Sequence, residues 1–146
     1  MWYRVFGRSE SEPPLAALAE HLHAAGLPVE PHFKGDDLGW TSGELRVPGG
    51  AAVKVERYLT DADDLRDDLN AYAAEVETRD SPHSGALMQH AIQTKQLVTL
   101  EPPADADLDS LLVAACKFLA AATDGVYQID GRGWFSGAGM LLISEQ

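Results

Sequence analysis

A chain of 146 residues, 45% hydrophobic and 23% charged, has the make-up of one ordinary globular domain, long enough for a core that needs no metal or disulfide staple. Its net charge of −12, from 11 Lys and Arg against 23 Asp and Glu, argues against a phosphate-tracking nucleic-acid binder, which needs a basic face. The single cysteine, Cys116, rules out an intramolecular disulfide. No apolar run approaches the ~20 residues of a membrane helix, and the opening MWYRVFGRSE lacks the basic-then-apolar pattern of a signal peptide, so a soluble, cytoplasmic protein is expected.

Trp2 to Phe6 is a short aromatic and β-branched run with large apolar groups on both alternating faces, which predicts an inner strand. Ser9 or Ser11 offers an N-cap for a helix carrying Leu15, Leu18 and Leu22 on one face; Gly26 and Pro28 end it. Val29 to Lys34 alternates weakly and contains Pro31, which fits an edge strand or an irregular segment. Glu44–Val47 and Val53–Glu56, on either side of Pro48-Gly49-Gly50, read as a hairpin with Leu45, Val47, Val53 and Val55 inward.

Thr60 is placed to cap a second helix with an apolar stripe of Leu65, Leu69, Tyr72, Ala73 and Val76. Its first turn would hold Asp61, Asp63 and Asp64, where the helix dipole favours anions. TRDSPHSG, residues 78–85, is a polar connector, followed by a short helix over Ala86–Gln93 and a strand over Gln96–Leu100. Leu108, Leu111, Leu112, Ala115, Leu119 and Ala122 make a strongly amphipathic helix with Asp105, Asp107 or Asp109 as its cap. Val126–Asp130, Trp134–Phe135 and Met140–Ile143 are strand-like.

These elements predict an α+β fold: one domain over residues 1–146, a mixed or mostly antiparallel sheet, helices packed on one face. The halves 1–80 and 86–146 share an order of strand, helix, strand, turn ending in Gly-Trp, and strand. If that order is a structural repeat, it consists of two β-α-β-β units.

Candidate chemistry is sparse. His21 and His23 lie two apart on a helix and cannot chelate one ion together, and His83 and His90, seven apart, would share a face only on one unbroken helix, against which Pro82 and Gly85 argue; neither a metal nor a cofactor is expected. The acidic runs at 61–68 and 105–109 lack cation-loop spacing and fit helix capping and a solvated face. Cys116 is mid-helix, a setting for a buried structural thiol rather than a nucleophile. Gly131-Arg132-Gly133 and Gly137-Ala138-Gly139 precede strand-like residues, not a helix, and so read as turns rather than a phosphate loop. Asp124 and Asp130 flank a strand and also suit turns.

With no catalytic constellation, the sequence favours a non-catalytic acidic interaction domain, immunity- or antitoxin-like by analogy, that meets a basic protein partner through Asp61, Asp63, Asp64, Asp67 and Asp68. Trp40 and Trp134, if exposed, would be its aromatic hot spots. The alternative is a small-molecule binder or small enzyme with a pocket at the sheet face, drawing on His32, His90, Tyr127 and Asp130, which must then converge in one cavity. Mimicry of nucleic acid by the acidic helix would need carboxylates spaced like phosphates.

Overall fold

A computed structural model describes residues 1–146. The elements run β1 (Tyr3–Gly7), α1 (Leu15–Ala24), β2 (Glu30–Asp36), β3 (Gly39–Arg46), β4 (Ala52–Leu59), α2 (Arg66–Glu77), α3 (Ser84–Gln93), β5 (Gln96–Glu101), α4 (Asp109–Thr123), β6 (Gly125–Ile129), β7 (Gly133–Phe135) and β8 (Leu141–Ser144). All eight strands join one antiparallel sheet in the order β2-β3-β4-β5-β1-β6-β7-β8, so the class is α+β. The proline-bearing β2 is an edge strand, where a residue without an N–H interrupts no ladder.

β1 lies in the middle of the sheet, as its two apolar faces require. Tyr3 and Val5 pair with Leu100 and Val98 of β5 and with Ile129 and Tyr127 of β6, and pack under α1 and α4 with Leu18, Leu22, Leu112, Ala115 and Leu119. Leu45, Val53 and Val55 extend that core along the hairpin. Phe6 points to the opposite face, where Leu69 and Val76 of α2 and Leu87 of α3 meet Leu97, Trp134 and Ile143. Helices therefore cover both faces of the sheet, not the one expected. A helix stripe shows that a face is buried, but not which side of a sheet buries it. Completely buried side chains such as Leu22, Leu100 and Ile129 each contribute about 1.5–3 kcal/mol by leaving water.

Coverage is unequal. On the α2/α3 side, the β2–β4 end of the sheet carries Ser42, Glu44, Lys54, Glu56 and Tyr58, polar residues that no helix covers. The strand order does not confirm a two-fold repeat. With β4 beside β5, a repeat would set β8 beside β1, but β6 occupies that place and β8 is the far edge.

Helix starts differ from the expected caps. Ser9 and Ser11 bond each other, and α1 begins after Pro14. Thr60 is buried and donates to the Thr94 carbonyl at 2.9 Å instead of capping a helix. Asp61, Asp63 and Asp64 form a turn, in which the Asp63 carboxylate accepts the Leu59 N–H at 2.7 Å and Asp64 takes a left-handed φ of 55°. Only Asp67 and Asp68 remain for the first turn of α2. Leu108 holds the N-cap position of α4 with no side-chain cap, while Asp107 accepts the Asp109 N–H at 3.3 Å.

Candidate functional site

The turn at 60–64 carries the chain from β4 on the sheet into α2 above it, and a groove of about 550 Å³ opens between them. Leu69, Ala73 and Val76 of α2 face the core. Asp68, Ala71, Tyr72 and Glu75 recur at helical spacing on a flank of the same helix and form one wall of the groove. Tyr58 and Leu97, paired across β4 and β5, supply the sheet side, and Leu65 sits where α2 begins. Apolar surface thus lies between two carboxylates, the only charged groups in the lining.

The two tyrosines are fixed by different means. Tyr72 packs edge-on against Phe6 and Trp134, with ring centroids 5.1 and 6.0 Å away, while Phe6 and Trp134 lie 4.8 Å apart. Its hydroxyl makes no hydrogen bond within the protein. Burial raises the Tyr72 pKa; the Arg4 charge opposes this, and Asp130, Glu75 and Asp68 add to it, so the hydroxyl remains a donor. Tyr58 donates to Glu56, which also receives Lys54 at 3.0 Å. That bond to Glu56, then burial, pushes the Tyr58 hydroxyl up to about 12.

Arg4 lies near the Tyr72 ring, 6.0 Å from its centroid, and bonds Asp130 at 2.6 Å and Gln128 at 2.8 Å. Burial disfavours the charged form of Asp130, but the bonds from Arg4 and from the Trp2 N–H (3.1 Å) outweigh it and hold the carboxyl below its ordinary range. Arg4 is thereby neutralised; of the two groove carboxylates, Glu75 receives Arg79 at 3.4 Å in an exposed pair one turn further along the chain, and Asp68 has no basic partner.

Of the five expected acidic contacts, Asp68 lines the groove. Asp61, Asp63 and Asp64 lie in the turn at its end, and Asp67 is exposed elsewhere on α2. Neither tryptophan is an exposed hot spot. Trp40 is 5% exposed, and its indole N–H donates to the Pro13 carbonyl at 3.0 Å. Trp134 is 3% exposed beneath Tyr72. Large rings beside turn glycines close the two cores here rather than reach outward.

The alternative pocket does not assemble. His32 sits on the β2 edge beside Glu30 at 2.9 Å. His90 is buried under α3 with its Nε2 2.7 Å from the Phe6 carbonyl. Tyr127 is buried on the other side of the sheet, stacked on Phe135 at 5.1 Å, and Asp130 serves Arg4. No cluster of three or more His, Cys, Asp or Glu side chains is arranged to hold a metal ion. Cys116 is fully buried in the α4 core, where burial pushes its thiol far up.

The sequence reading missed Arg57. It is 5% exposed, forms no ion pair, and donates to Gln96 Oε1 (2.8 Å) and to the carbonyls of Leu38 (3.1 Å), Trp40 (3.2 Å) and Glu10 (3.2 Å). Gln96 in turn donates to the Ser9 and Ser11 carbonyls at 2.5 and 2.8 Å. Together they pin the segment before α1 across the sheet. A signal was present in the alternation, since Arg57 is the next inward position after Val53 and Val55.

Compared with protein-family models, curated proteins and solved structures, the chain gives no significant match to any. Its function must be argued from the groove itself.

Proposed function

We propose that the protein is a non-catalytic docking module that receives a basic protein partner in the groove between α2 and the sheet. The observation that carries this reading is the groove's composition: Tyr58, Leu65, Ala71, Tyr72 and Leu97 offer apolar and aromatic surface, and the only charges among them are Asp68 and Glu75. Aromatic faces attract cations, and nearby carboxylates strengthen that attraction. The acidic turn at Asp61, Asp63 and Asp64 continues the same sign of charge past the end of the groove, and a net charge of −12 steers a basic partner toward the molecule over a longer range. Neutralising a basic protein, as an immunity or antitoxin protein does, is one biological use of such a surface.

The test is a pull-down from native lysate at low and at high salt, run in parallel with wild type and with the double variant Asp68→Asn, Glu75→Gln. A basic protein held by wild type at low salt, released at high salt and not held by the variant supports the proposal. Equal retention by both proteins, or no retained protein at either salt, refutes it.

A further inference from the structure

On the α1/α4 side of the sheet lies a second groove, of about 420 Å³, with the opposite balance of charge. Asp109, Val113 and Lys117 recur every four residues along one flank of α4, and Arg132 of the β6–β7 turn and His21 of α1 join them in the lining. Arg132 and Asp109 bond at 2.5 Å and cancel, and the Tyr3 hydroxyl donates to the same carboxylate oxygen at 2.5 Å. Arg132 commits only Nη1 to that pair, and its Nε and Nη2 donate to nothing in the protein. Lys117 is exposed and has no acidic partner. With His21 neutral, the groove therefore keeps a single uncompensated positive charge on a molecule of net charge −12.

The lysine is set beside a second free donor. Gly139, in the turn between β7 and β8, has a φ of 98°, and a Cβ there would lie 2.6 Å from Lys117 Cε, 3.0 Å from its Nζ and 3.4 Å from the Tyr127 hydroxyl. The glycine gives the lysine room to lie against the turn, so that its amine and the hydroxyl flank the same point. Tyr127 is 2% exposed, yet its hydroxyl has no hydrogen-bond partner in the protein. A phenol buried to that degree ordinarily has one. Burial raises its pKa, so the hydroxyl keeps its proton and remains a donor.

We infer that Lys117 and the Tyr127 hydroxyl receive the carboxylate of a small organic acid, with the uncommitted donors of Arg132 in the same groove. The charge selects the class. One uncompensated lysine balances a monoanionic carboxylate, whereas a phosphate dianion would leave one charge unanswered beside Asp109 and against the field of the whole molecule. Val113 and Ala114, the apolar members of the lining, favour an acid with a short hydrocarbon body over acetate. The site lies across the sheet from the docking groove and does not depend on it.

Backbone amide NMR tests it, with the wild-type protein titrated by butyrate, acetate and inorganic phosphate at constant ionic strength in sodium chloride. Butyrate should give saturable shift changes at Val113–Lys117, Arg132 and Gly139. It should bind about fivefold more tightly than acetate through its added CH₂ groups, and more tightly than phosphate. Tyr127→Phe removes a hydroxyl that bonds nothing in the protein, so stability should match wild type while butyrate binding weakens about fivefold. Lys117→Gln, a surface change, should weaken butyrate by about fivefold or more. No saturable change with butyrate, or unchanged butyrate binding in either variant, overturns the site. Tighter binding of phosphate than of butyrate overturns the ligand class, and equal affinity for acetate and butyrate overturns the apolar contact.

Discussion

Replacing Arg57 with methionine keeps most of the side-chain volume and removes every donor, so the cost can be worked from the acceptors left behind. Two of its four acceptors, Gln96 Oε1 and the Trp40 carbonyl, are buried; the Leu38 and Glu10 carbonyls are partly open to water. A buried acceptor without a partner costs about 1–3 kcal/mol, while the partly open ones are rehydrated. Removing the need to bury a guanidinium offsets part of that loss, because burial already pulls the Arg57 pKa down against the pull of Glu12, Asp36 and Asp63. The packing of the guanidinium over Trp40, 5.8 Å from the ring centroid, is lost as well. The net expectation for Arg57→Met is about 3 kcal/mol of destabilisation, or a Tm lower by about 10 °C at this chain length. Arg57→Lys, which keeps the charge but reaches fewer acceptors, should fall between wild type and Arg57→Met. Urea unfolding followed by tryptophan fluorescence measures both. An Arg57→Met protein within about 0.5 kcal/mol of wild type would refute the clamp.

His90 predicts a pH dependence. Burial holds its pKa below 6.5, partly opposed by the Phe6 carbonyl, so the unfolded chain binds the proton first. The stability due to neutral His90 is full above about pH 6.5 and is lost as pH falls toward the folded pKa. His90→Gln should flatten that part of the urea-unfolding profile; a parallel decline in both proteins would contradict it. Cys116, fully buried, should resist a disulfide reagent in the native state and react only on unfolding. Reaction at the rate of a free thiol in native buffer would show the α4 core to be open. Gly133 holds a φ of 129°, and a Cβ there would run into the Ile143 carbonyl. Gly133→Ala should therefore cost about 2 kcal/mol or more in unfolding free energy, and a neutral result would mean that β7 and β8 are not paired as described.

Much of the fold was legible because it follows from periodicity. The two-faced apolar run of β1 required a central strand, the alternation at Leu45, Val53 and Val55 set the hairpin, and the stripe of α4 set the longest helix. What depends on strand order was not legible. Nothing in the stripe of Leu69, Ala73 and Val76 says that α2 lies opposite α1 and α4. Trp40 illustrates a further limit. Lys34 pairs with Ser42 and Gly35 with Trp40, so Thr41 is an extra residue that turns Trp40 onto the α1/α4 face and into the core.

The groove was half visible. The acidic character of 61–68 was read, but four of those five aspartates lie outside the lining. Its wall also needs Ala71, Tyr72 and Glu75, and its floor needs Tyr58 and Leu97, brought together only by the β4–β5 pairing. Tyr72 read as core because it follows the apolar spacing; it does reach Phe6 and Trp134, yet its hydroxyl end belongs to the groove.

The most direct test of the docking function is a backbone amide NMR titration of the wild-type protein with a short basic peptide. Chemical-shift changes confined to Tyr58, Leu65, Leu97 and the Asp68–Glu75 flank of α2, shrinking as salt is raised, are the expected result. Changes concentrated elsewhere on the molecule, or no saturable change at low salt, would contradict a docking site in this groove.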